Sequence, residues 1–214
     1  MEIKLVVFDL DGTLVSSHET IYRATLRALK EVKIHIEIPQ DQFNNMIGLH
    51  FEDIFSSFGF RVPDFDNFLS IYKSIYFDFI GLSAVYDGVV RLLESLRRKK
   101  IKIALLTTKS QEQSELILKH FFLFDKFDYI MGRRPGIPHK PSPEPLLKIC
   151  GDQKIGPENT LIVGDSELDI LCGKRAGSRT CAVTYGYRSR PALEKERPDF
   201  LIDNIIEVYD IIYF

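Results

Sequence analysis

The chain has few cysteines, no membrane-length apolar run, no repeat or low-complexity segment and almost no net charge, and each shortage excludes a class of function. Cys150, Cys172 and Cys181 are odd in number and widely spaced. They read as reduced core residues, not as a disulfide framework or a zinc site. With no apolar stretch long enough to span a bilayer, no membrane partner is expected. Met1-Glu2-Ile3-Lys4 runs into an apolar strand without the basic and long apolar regions of a secretion signal, so the expected compartment is cytoplasmic. A net charge of −2 and a pI near 6.2 provide no global field for nucleic acid, and no nucleic-acid partner is expected. Any anionic ligand therefore has to find locally placed cations. The 214 residues, 45% hydrophobic and 27% charged, suit one large soluble domain carrying a smaller one.

Hydrophobic periodicity divides the chain. From Ser17 to about Leu82 the pattern is helical, with Ile21, Ala24, Ala28 and Val32 on one stripe and Phe65, Phe68, Leu69, Tyr72, Tyr76 and Phe79 on another. Pro39-Gln40-Asp41, Gly48-Leu49-His50 and the Gly59–Pro63 stretch supply its breaks. Twelve of the 25 aromatic residues fall in these 66 positions, enough bulk for a small core of its own. From Tyr86 onward helices and strands alternate, with apolar strands expected over 101–106, 127–131, 160–163 and 180–183 and a short one near 198–204. The expected fold is α/β: a Rossmann-like parallel-sheet core of residues 1–16 and 83–214, with a helical cap of residues 17–82 inserted. Right-handed crossovers bring the carboxyl ends of the strands to one edge, where ligands of such sheets bind.

Four motifs fall at that edge. Val6-Val7-Phe8-Asp9-Leu10-Asp11-Gly12-Thr13-Leu14 reads as a buried strand ending in two carboxylates separated by a single residue. One carboxylate can attack phosphorus while the other protonates a leaving oxygen and later activates water; the plainer reading is an Asp-Gly turn satisfying loop amides. Ala104-Leu105-Leu106-Thr107-Thr108-Lys109 ends a second strand, and Thr107 with the following amides is expected to hold a phosphoryl oxygen at a helix N-terminus, or simply to cap the helix. Lys140 lies among Pro138, Pro141, Pro143 and Pro145, which stiffen its segment and present its charge before a helix instead of leaving it solvated. Leu161-Ile162-Val163-Gly164-Asp165-Ser166-Glu167-Leu168-Asp169 supplies hard oxygen ligands suited to Mg²⁺, although an acidic first helical turn also explains Glu167 and Asp169.

Taken in order, these motifs resemble the full set of the haloacid dehalogenase superfamily, and the insert resembles its four-helix cap. Ile47-Gly48-Leu49, Tyr86-Asp87-Gly88-Val89 and Lys140-Pro141-Ser142-Pro143 are most similar to the phosphoglycolate phosphatase-like group. Ser16, Asp87 and Thr108 stand where that group usually has Asp, Pro and Asn. The resemblance implies Asp9 as nucleophile and Asp11 as general acid and base. It implies Thr107, Thr108 and Lys140 as phosphate-binding residues, and a Mg²⁺ held by Asp9, Asp165 and the backbone carbonyl of Asp11, with Ser166 and Asp169 in support. The expected activity is a Mg²⁺-dependent phosphatase acting on a small phosphorylated metabolite such as a phosphoglycolate-like monoester, in a monomer or homodimer whose cap excludes water. An acid at the position of Asp11 argues against carbon–halogen cleavage. The alternatives are a β-phosphoglucomutase-like phosphomutase, a pyrophosphatase of the same superfamily, and a non-catalytic binding protein on this scaffold.

Overall fold

The computed structural model describes residues 2–213. The apolar run Leu5-Val6-Val7-Phe8 forms β1 (Leu5–Phe8), all four residues fully buried, as a strand covered on both faces requires. The chain continues through β2 (Val15–Ser16), α1 (His18–Glu31), α2 (Gln40–Asn44), α3 (Phe51–Ser57), α4 (Phe65–Tyr76), a 3₁₀ segment Phe77–Leu82 and β3 (Ala84–Val85). Then come α5 (Val89–Arg98), β4 (Lys102–Ser110), α6 (Gln111–His120), β5 (Tyr129–Arg133), α7 (Glu144–Gln153) and β6 (Thr160–Gly164). The remainder is α8 (Glu167–Ala176), β7 (Arg179–Val183), α9 (Arg190–Lys195), β8 (Phe200–Ile202) and α10 (Val208–Tyr213). Residues up to Leu14 and from Val85 onward form one compact unit, and Val15–Ala84 forms another.

The larger unit is built on six parallel strands in the order β5-β4-β1-β6-β7-β8. The chain first builds outward from β1 through β4 to β5, then returns to the other side of β1 for β6, β7 and β8. The carboxyl end of β1 is thus the point where the connections reverse direction, and the crevice such a reversal opens is where open parallel sheets bind ligands. Below it, Leu5, Val7, Ala104, Leu106, Ile149 and Cys172 belong to one apolar core. Burial pushes the Cys172 thiol up to about 12 and raises those of Cys150 and Cys181, so all three stay protonated and unreactive.

The helical unit is held by aromatic packing. Phe51 meets Tyr72 at 4.8 Å and Phe55 meets Phe68 at 5.1 Å, both near edge-to-face, and Ile21, Ala24 and Ala28 form the buried stripe of α1. The Thr20 hydroxyl hydrogen-bonds the Ser83 hydroxyl at 2.6 Å and donates to the Phe79 carbonyl at 2.9 Å, tying the first helix to the last segment. The expected helical run is interrupted between α1 and α2: Lys33 takes φ 65° and residues 34–39 form no helix. The Tyr22 hydroxyl fastens this stretch by donating to the Ile38 carbonyl at 2.8 Å.

Phe68 is fully buried while Phe122 is 88% exposed. Urea unfolding should show Phe68→Ala losing about 3–5 kcal/mol, and Phe122→Ala changing stability by no more than about 0.5 kcal/mol.

Candidate active site

Asp9 is the first residue past β1, and its backbone N–H donates to the Val163 carbonyl at 2.9 Å, carrying the β1–β6 ladder one residue further. Its carboxylate is thereby fixed at the sheet edge. The chain then turns: Thr13 and Leu14 both donate back to the Leu10 carbonyl, and Gly12 takes φ 80°. A Cβ on Gly12 would stand 2.3 Å from Asp165 Oδ2, so this turn needs glycine both for its backbone angle and to let Asp165 approach.

Lys140, in the proline-rich turn four residues before α7, is 3% exposed. Its ammonium donates to Asp9 Oδ1 at 2.7 Å and to Asp169 Oδ1 at 2.6 Å. The other Asp169 oxygen accepts from the Ser166 hydroxyl at 2.6 Å and the Ser166 N–H at 3.2 Å, which satisfies the start of α8. Asp169 thus acts at both the helix start and the site. Asp165 Oδ2 accepts from the Tyr187 N–H at 2.7 Å. Gly186 lies so close that a Cβ there would stand 2.2 Å from that of Asp165.

One local expectation is corrected. Thr107 and Thr108 do not stand at a helix N-terminus: β4 continues through Ser110 with a register shift against β5 after Leu106, and α6 begins at Gln111, capped by Ser110. The paired strand outcompetes an early helical turn because β5 covers its edge, and Gly132 packs against the backbone of Gln111 where a Cβ would not fit. Thr107 is buried and accepts from the Lys109 N–H at 3.3 Å, whereas Thr108 is half-buried. The longer strand turns Lys109 inward, and its ammonium lies 3.1 Å from Asp11 Oδ2.

Sequence reasoning missed Lys109, Gly186, the Tyr187 amide and Arg188, whose guanidinium pairs with Glu167 at 2.8 Å and fastens the loop after β7 beside Asp165. Lys109 left a signal: Thr107 and Lys109 share a side only if the strand period continues. The loop left none.

Asp9, Asp165 and Asp169 are buried, with carboxylate oxygens all within 4.8 Å of one another. Burial raises the Asp9 carboxyl to about 7, against the pull of Lys140, and lifts Asp165 well above the usual carboxylate range with Asp9 and Asp169 adding to the repulsion. Burial works against the Lys140 charge, but Asp169 and Asp9 outweigh it and hold its ammonium above the ordinary lysine range. The four carboxylates Asp9, Asp11, Asp165 and Asp169 stand against the two ammoniums of Lys109 and Lys140. The excess is matched in charge by one divalent cation, and the all-oxygen donor set suits Mg²⁺. The Asp11 carboxylate faces Lys109 and is not part of that cluster.

The haloacid dehalogenase-like hydrolase model matches residues 6–183, a span that contains every residue of this site except Tyr187, Gly186 and Arg188. The chain belongs to that family. This haloacid dehalogenase-like hydrolase is 31% identical over 211 residues to a protein of Clostridium perfringens provisionally named pyrophosphatase PpaX, covering 98% of this chain and 97% of that one. It is 30% identical to the pyrophosphatase PpaX of Bacillus cereus strain ATCC 10987, over 99% and 97% of the two chains. A crystal structure of a predicted phosphoglycolate phosphatase from Haemophilus somnus 129PT superposes with TM-score 0.89 at 26% identity, covering 99% of this chain and 98% of that one.

Gly186→Ala would push Asp165 out of place. Calorimetric titration with Mg²⁺ should show it weakening affinity by about 10-fold or more relative to wild type; unchanged affinity would remove Asp165 from the ligand set.

Proposed function

We propose that this hydrolase is a phosphatase that cleaves a small phosphorylated metabolite through a covalent phosphoryl intermediate on Asp9, with Asp11 as general acid and base. The observation that carries this reading is the division of labour between two carboxylates two residues apart: Asp9 is gripped by Lys140 and Asp11 stands with Lys109. Lys140 holds Asp9 Oδ1, which orients the carboxylate for in-line approach of an oxygen to phosphorus. As the bond from Asp9 to phosphorus forms, the bond from phosphorus to the leaving oxygen breaks, and Asp11 donates a proton to that oxygen. Asp11 then takes a proton from water as the water attacks phosphorus. The bond to Asp9 breaks and inorganic phosphate leaves. Lys140 and the Thr107 hydroxyl stabilise charge on the other phosphoryl oxygens. Asp9, Asp165 and the backbone carbonyl of Asp11 would hold Mg²⁺, which supplies charge stabilisation to the phosphoryl group, while Asp169 and Ser166 brace the cluster.

The substrate reading is a phosphoglycolate-like monoester. A second reading, hydrolysis of inorganic pyrophosphate, draws on the named PpaX relatives, which align over nearly the whole chain. The residue roles are the same in both.

Phosphate release from a panel including 2-phosphoglycolate, pyrophosphate and hexose phosphates should require Mg²⁺. Asp9→Asn should lower kcat by about 10⁴-fold or more, and Asp11→Asn by about 10²–10⁴-fold. Near-wild-type turnover in either variant would refute the assignment, and isomerisation of a hexose phosphate outpacing phosphate release would make the protein a mutase.

A further inference from the structure

Two lysines serve the site, and they divide it. Lys140 donates to Asp9 and Asp169, at the nucleophile; Lys109 stands 3.1 Å from Asp11, at the acid. The Lys109 side chain is only 9% exposed, an unusual depth for lysine. A buried ammonium persists only against opposing charge, and the Asp11 carboxylate supplies such charge here. Resting on the reading of Asp11 as the group that serves the leaving oxygen, we infer that Lys109 is a specificity-determining residue selecting substrates whose leaving group carries its own negative charge, a carboxylate or a second phosphate, over phosphate esters of neutral alcohols.

The argument is one of position and charge. Asp11 marks the leaving-group side of the phosphorus, so a cation in contact with Asp11 stands where the leaving group departs. Lys140 is already committed to two other carboxylates, Asp9 and Asp169. A further anion on the leaving group finds its counter-charge in the Lys109 ammonium. A neutral alcohol presents an acceptor about half as strong. The lysine is anchored by its backbone: its own N–H donates to Thr107 Oγ1 at 3.3 Å in the irregular stretch of β4 between Leu106 and Ser110. The inference also accounts for what the names of the relatives share. Phosphate leaving pyrophosphate and glycolate leaving phosphoglycolate are both anions.

The test is binding to the full-length Asp9→Asn protein with Mg²⁺, by calorimetry, of 2-phosphoglycolate and of ethyl phosphate, in which a methyl stands in place of the carboxylate. The 2-phosphoglycolate should bind about 10-fold or more tightly than ethyl phosphate. Adding Lys109→Met or Lys109→Gln should erase that preference by weakening 2-phosphoglycolate about 10-fold more than ethyl phosphate, and Lys109→Arg should keep it. Equal binding of the two esters to the Asp9→Asn protein overturns the inference before any lysine is changed. Equal loss for both esters in the Lys109 variants also overturns it, because the lysine would then hold the transferred phosphoryl group or the fold. Turnover by protein with Asp9 intact separates the two claims: selective binding without hydrolysis of either ester refutes the phosphatase reading and leaves the Lys109 assignment standing.

Discussion

The ammonium of Lys140, buried between Asp9 and Asp169, is the contact on which the site depends. Carboxylates brought this close repel one another, and burial strips away the water that would screen them. Without a cation among them Asp9 and Asp169 could not share the end of the sheet. The lysine meets part of the charge, and in the proposed mechanism a divalent ion would meet the rest. Under the proposed mechanism, that arrangement would keep the buried Asp9 carboxylate available as a nucleophile.

The fold makes the convergence cheap. β1 and β6 lie side by side, so Asp9 and Asp165 follow neighbouring strand ends; β4 on the other flank delivers Thr107 and Lys109. Lys140 arrives from the turn before α7 and Asp169 from the first turn of α8. These six side chains therefore come from four stretches of chain, each needing only a short reach. Gly12 and Gly186 press on Asp165 from both sides, which leaves no room for a side chain in either. The cluster is shaped as much by these two missing Cβ atoms as by its carboxylates.

Much of this was legible in the residues alone. The parallel strands announced themselves as apolar runs because both faces are covered, and the acidic first turn at Glu167 and Asp169 marked where α8 begins. Asp9, Asp165 and Lys140 stood out because carboxylates and a lysine directly after buried strands or among prolines demand an explanation. Other features were hidden because tertiary pairing decided them. β4 overran its expected end because β5 pairs with it as far as Arg133, and that overrun turned Lys109 inward. The break after α1 ends at Pro39, as that proline signals, but it begins at Lys33, whose positive φ no local breaker residue announces. The loop after β7 and helix α9 carry ordinary surface composition, and only the closeness of Tyr187 and Gly186 to Asp165 gives that loop meaning.

The central claim is that phosphorus passes through the side chain of Asp9. Rapid acid quenching of Mg²⁺-loaded wild-type protein during turnover of a ³²P-labelled substrate, followed by proteolysis and mass spectrometry, addresses it directly. The account predicts label on the peptide containing Asp9, and specifically on that carboxylate. Label on any other residue, or steady turnover with no protein-bound phosphorus, would contradict it.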